Sequence, residues 1–184
     1  AENAGSSLVL TATLSKATNE DVTVTLSAAG TATEGTDYTS LGDITISAGD
    51  LTGTVNFTPT DDSVYENGGT AETAIIDVAT VSGGDAVENT TPQQVTLSIT
   101  ENESAPTVTL TTSVSSVAEN GTDPTATATL SNATDADVTI TLSASGTASS
   151  STDYSLSGTT ITISAGDTTG SIIVSLTDDS THEL

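Results

Sequence analysis

The chain has 184 residues and sets 25 Asp and Glu against one basic residue, Lys16, for a formal net charge of −24. Such a polyanion is repelled by nucleic acid and by anionic lipid, so neither is an expected partner. Cysteine is absent, and no apolar run approaches the roughly 20 residues that cross a bilayer, so thiol chemistry, thiolate-bound zinc and direct membrane insertion drop out. With one histidine (His182), one lysine and no arginine, nucleophile–base pairs and anion clamps are scarce, and the chain is not expected to be an enzyme. Its hydrophobic content of 34% is strongly patterned, which argues for a folded chain over a disordered acidic one.

The first copy of the pattern runs through "LVLTATLS" (8–15), "DVTVTLSA" (21–28), "DITIS" (43–47), "TGTVNFTPT" (52–60), "TAIIDVATV" (73–81) and "QQVTLSIT" (93–100). Each alternates apolar residues with Thr or Ser at period two, the mark of a strand with one buried face. Turn clusters such as "SAGD" and "NGGT" separate them. The second copy offers "PTVTLTTSV" (106–114), "TATATLS" (125–131), "DVTITLSA" (137–144), "TTITIS" (159–164) and "GSIIVSL" (170–176). No stretch has helical period. Regular Thr alternation also suits an ice-binding face, but Thr spread over all strands reads more simply as the solvated side of a sandwich.

The two series are repeats. Residues 12–38 match 128–154 at an offset of 116, and "ITISAGDLTG" (44–53) matches "ITISAGDTTG" (161–170) at 117. A unit of this length is a whole β-domain and not a solenoid repeat. The expected architecture is all-β: an antiparallel, seven-stranded, immunoglobulin-like β-sandwich in two tandem copies, 1–104 and 105–184. Both copies read as truncated. The first lacks a counterpart of "APTVTLTTSVSSV" (105–117), and the second lacks counterparts of "AETAIIDVATV" and "QQVTLSIT".

The acids also recur. "TDDSVYE" (60–66) returns as "TDDSTHE" (177–183), "AEN" (1–3) as "AEN" (118–120), and "TDY" (36–38) as "TDY" (152–154). Neighbours in a strand point to opposite faces, so Asp61 and Asp62 converge only where a strand has ended. Glu101 and Glu103 follow the last strand of the first copy. If these loops share one end of the domain, the carboxylates repel one another and oppose folding unless cations join them. Oxygen-only donors without His or Cys select a hard cation, and Ca²⁺ tolerates irregular multi-oxygen sites better than Mg²⁺. The competing reading is a solvated acidic surface. Asp50 and Asp167 belong to turns at the far end of the strand, and Tyr38 and Tyr154 are expected to pack their loops against the core.

"AEN", "GTATEGTDY", "ITISAGD", "TDDSVYE" and "VTLSITENE" stand in the order of a Calx-beta domain, a family the chain resembles along nearly its whole length. That family includes regulatory domains of sodium–calcium exchangers and many large bacterial surface proteins. The resemblance implies calcium ligands at Glu2, Asp37, Asp61, Asp62 and Glu66, and at Glu119, Asp153, Asp178, Asp179 and Glu183. Strong calcium binders of the family carry an Asp run after the last strand, where this chain has Glu101-Asn102-Glu103. That departure implies fewer ions or lower affinity. The resemblance further implies a calcium-stiffened extender repeat of a secreted, extracellular cell-surface adhesin. Its partners would be neighbouring repeats of the same chain, and the protein would be monomeric. The alternative is a calcium-sensing or ligand-binding module, adhesive or ice-binding.

Overall fold

The structure, a computed structural model, describes residues 1, 2, 5, 7–91 and 93–180. The expectation for Glu183 falls outside these residues. Among the described residues fourteen strands follow in chain order: β1 (Leu8–Thr13), β2 (Val22–Gly30), β3 (Ile44–Ile46), β4 (Thr52–Phe57), β5 (Val64–Tyr65), β6 (Glu72–Ser82), β7 (Val95–Ile99), β8 (Val108–Thr112), β9 (Thr125–Leu130), β10 (Ala133–Thr134), β11 (Val138–Thr141), β12 (Tyr154–Leu156), β13 (Thr160–Ile163) and β14 (Thr169–Leu176). The chain is all-β, with a short 3-10 turn at Asn67–Gly69. No helix among the described residues is long and apolar enough to cross a membrane. Two compact units form: Ala1–Asp62 with Gly69–Glu103, and Ser63–Gly68 with Ser104–Leu184.

In the first unit β1 pairs with β4, and a second sheet runs β3-β2-β6-β7, all antiparallel. The alternation read from sequence sets the faces. Val22 and Val24 of β2 and Ile44 and Ile46 of β3 are buried, while the Thr residues between them are more exposed. One core cluster draws on both sheets, with Phe57 of β4, Ala74 and Ile76 of β6, and Ile99 of β7. Burying a side chain such as Phe57 contributes about 1.5–3 kcal/mol. Tyr38 stacks on that ring with centroids 4.6 Å apart and is 1% exposed, as its place after Asp37 suggested.

In the second unit the sheets are β12-β14-β9-β8 and β11-β13, and Ala128, Leu130, Ile161, Ile163 and Ile172 join them. Gly53 and Gly170 occupy equivalent places in the two copies. A Cβ on either would stand 2.3 Å from the Thr45 carbonyl oxygen or 2.5 Å from that of Thr162, so only glycine lets these strands approach. Two features were not visible as alternation. β12 is three residues long, and its counterpart at Tyr38 makes isolated bridges to Glu34 and Pro59. The segment Ser63–Gly68 groups with the second unit, where β5 pairs in parallel with β10.

Candidate metal centre

The first unit gathers its acids where β7 ends. The Glu2 amide donates to the Thr100 carbonyl at 3.2 Å, which seats Glu2 beside the segment that leaves β7. Glu2 is buried, at 5% exposure, and Glu101 and Glu103 are half-buried. Each of the three offers a carboxylate oxygen within 4.8 Å of the others. The Glu101 Oε1 accepts from the backbone N–H groups of Asn102 and Glu103, both at 2.9 Å, and this curls the segment so that residues 101 and 103 turn to the same side. Asn102 Nδ2 donates to Glu103 Oε1 at 3.1 Å and to Asp61 Oδ1 at 3.2 Å. The "DD" loop is thereby joined to the exit of β7.

The electrostatics are unfavourable in the absence of a cation. Hydrogen bonding with Glu101, burial, and the charges of Glu101 and Asp61 push the Glu103 carboxyl above the ordinary carboxylate range. Its Oε2 is buried and makes no hydrogen bond. Two oxygens bound to one Ca²⁺ at about 2.4 Å lie at most about 4.8 Å apart, so Glu2, Glu101 and Glu103 fit a single ion. The donor set, carboxylate oxygen only, suits calcium chemically.

A second pair lies nearby in chain terms. Asp37 is 8% exposed, and its carboxylate comes within 4.8 Å of that of Glu72, the first residue of β6. The Asp37 Oδ2 accepts from the Thr33 amide, the Asp37 amide donates to Thr33 O at 2.9 Å, and Asp37 O accepts from Thr60 N at 2.9 Å. Asp153 repeats all three contacts with Ser149 and Thr177. This aspartate therefore closes its loop in both copies whether or not it also holds a cation. Tyr38, beside it, has its phenol pushed up by burial and by the charges of Glu34 and Asp37.

Asp61 and Asp62 are exposed beyond the end of β4. Glu66 is half-buried and lies in the segment Ser63–Gly68 of the second unit. Asp178, Asp179 and Glu119 are exposed, and Asp153 is half-buried. Among the described residues the second unit by itself forms no group of three carboxylates.

Sequence reasoning missed Glu72 and the linking role of Asn102. A signal for Glu72 existed. It stands in phase with Ala74 and Ile76, both buried, so an acid occupies the inward face at the start of a strand. Asn102 carried none, because its role depends on which loop lies opposite.

Residues 1–103 and 101–184 each match the Calx-beta domain. The chain therefore belongs to the Calx-beta family, with two domains in tandem. Among solved structures it is similar to the one titled "Crystal structure of CBD12 from CALX1.2", at 17% identity and a TM-score of 0.45, over 95% of this chain and 71% of that one. The "Crystal structure of calcium binding domain CBD12 of CALX1.1" aligns at 17% identity and a TM-score of 0.44, over 97% and 71%. No curated protein sequence matches the chain.

Proposed function

We propose that this chain is a calcium-binding, non-catalytic repeat that serves as a structural extender in a longer extracellular surface protein of the adhesin type. The observation that carries the reading is the convergence of Glu2, Glu101 and Glu103, with the buried Glu103 Oε2 lacking a hydrogen bond. Asp61 supports the site through Asn102. Asp37 and Glu72 extend the acidic end, with Asp62 and Glu66 as further ligands on the family motif. In the second copy Glu119, Asp153, Asp178, Asp179 and Glu183 hold the same motif positions.

Calcium bound here would supply charge neutralisation and cross-linking, not chemistry. Glu101 fixes the Glu103 amide within the first unit, and Asn132 Nδ2 donates to the Ser104 carbonyl at 3.3 Å within the second. The units meet in sequence at Asp62 and Ser63, at Gly68 and Gly69, and at Glu103 and Ser104, and a cation on Glu101 and Glu103 restrains the residues before the last of these crossings. That favours the extender over a free-standing binding module. Calcium sensing remains the second reading, because a restrained crossing is also what a sensor would use.

Calorimetric titration with Ca²⁺ tests the proposal. The native chain is expected to bind, and Glu101→Gln with Glu103→Gln to lose most of the heat. Equal isotherms for the two proteins overturn the site.

A further inference from the structure

Two of the chain's asparagines stand before a glycine, Asn67 and Asn120. In such a pair the side-chain amide lies within reach of the next backbone nitrogen, and glycine adds no side chain to keep them apart. Asn67, Gly68 and Gly69 are exposed and take left-handed φ angles of 46°, 61° and 75°, a region that asparagine tolerates better than most residues. A Cβ built on Gly68 would meet nothing within 4 Å, so its amide is approachable from solvent.

Asn120 is exposed as well, but its glycine is not open. The Gly121 amide donates to the Ala118 carbonyl at 2.8 Å, and a Cβ there would stand 2.7 Å from Val117 Cγ2. Attack by that nitrogen first requires its hydrogen bond to break.

The turn at Asn67 also fastens a strand. The Asn67 amide donates to Asp135 Oδ2 at 2.9 Å, and the Asp135 amide donates to the Tyr65 carbonyl at 3.3 Å. These bonds close the end of the β5–β10 ladder, in which Val64 stands opposite Ala133 and Tyr65 opposite Thr134. A ladder of two residue pairs depends on its end contacts.

We propose that Asn67-Gly68 is a self-modification site, an asparaginyl turn that deamidates and thereby releases β5 from β10. The Gly68 nitrogen gives its proton to solvent hydroxide and attacks Asn67 Cγ. The N–Cγ bond forms, the Cγ–Nδ2 bond breaks, and Nδ2 leaves as ammonia with a proton from water. Water then opens the succinimide. Cleavage at Cγ gives aspartate, and cleavage at the main-chain carbonyl gives isoaspartate, whose backbone is one methylene longer. The sum is one water consumed and one ammonia released. Either product sets a new carboxylate near that of Asp135, in a chain already at −24, and like charges repel. Isoaspartate also alters the chain path from residue 67 to 68.

The intact chain is held at mildly alkaline pH and then cut with a glutamate-specific protease, which places Asn67 in 67–72 and Asn120 in 120–183. Mass spectrometry is expected to find the acid form accumulating at Asn67 at least about fivefold faster than at Asn120, the weight of one hydrogen bond on a rate. Conversion should quicken as pH rises, because the attacking nitrogen must lose its proton. Anion exchange then separates the converted chain by its extra charge. In it the Asp135 amide is expected to exchange hydrogen at least about fivefold faster than in fresh protein. If Asn67 keeps its amide as long as Asn120 does, the modification site fails. If the converted chain protects the Asp135 amide as fresh protein does, the release of β5 is overturned.

Discussion

The side-chain amide of Asn102 donates to the carboxylate of Asp61 at 3.2 Å across 41 residues of sequence. It joins the loop after β4 to the segment after β7, and it does so between two acids. An amide placed among carboxylates supplies N–H donors where no cationic side chain is available. In this chain, with Lys16 as its sole basic residue, amides and bound cations are what remains for that task.

Asn102→Ala is expected to cost about 1 kcal/mol of stability in chelator, the usual net value of an exposed hydrogen-bonding side chain. Calcium affinity should fall several-fold, because Asp61 and Glu103 lose their common partner. Melting curves and calorimetry on the same samples separate the two effects. Unaltered affinity would show that the Asp61 loop does not contribute to the site.

The raised Glu103 carboxyl makes a signed pH prediction. A carboxylate whose folded pKa exceeds its unfolded value contributes stability below the unfolded pKa and loses it as pH rises through the folded pKa. The calcium-free chain should therefore gain stability from this group as pH falls from neutral toward the ordinary carboxylate range. Calcium must displace the same proton, so binding should weaken over that window and release protons. Titrations in buffers of different ionisation enthalpy measure the release, and zero release would contradict the assignment.

Glu72→Gln removes one charge of the Asp37–Glu72 pair and keeps the shape. The carboxylates approach within 4.8 Å. Their repulsion at intermediate dielectric is on the order of 1–3 kcal/mol. In chelator the variant should melt higher than the native chain, and in calcium the difference should shrink or reverse. A constant difference under both conditions would place Glu72 outside any cation site.

Gly53→Ala and Gly170→Ala are expected to destabilise their own units by about 1–3 kcal/mol through overpacking. The new Cβ meets a strand carbonyl in each case. Two-transition melting with only the substituted unit shifted is the expected result. A neutral Gly170→Ala would show that the second unit yields locally.

Small-angle scattering tests the extender reading. With calcium, the distribution of maximum dimension should be narrower than in chelator, since the Glu101–Glu103 segment precedes the crossing at Ser104. Superimposable profiles would remove stiffening even if calcium binds.

Period-two alternation by itself determined most of the longer strands, because a side chain's face in a strand depends only on the parity of its position. Val22, Val24, Ile44 and Ile46 were legible for that reason, and the offset of 116–117 fixed the tandem arrangement. Sequence also marked which acids recur. It did not decide which of them meet, since loops from distant strands converge only once the sheets have formed. The fold buried Glu2 beside Glu101 and Glu103, left the matching Glu119 on the surface, and brought Glu72 to Asp37. Identical motif letters thus came to different surroundings, because Glu2 is seated by the Thr100 carbonyl, a backbone contact that the letters of the motif do not specify.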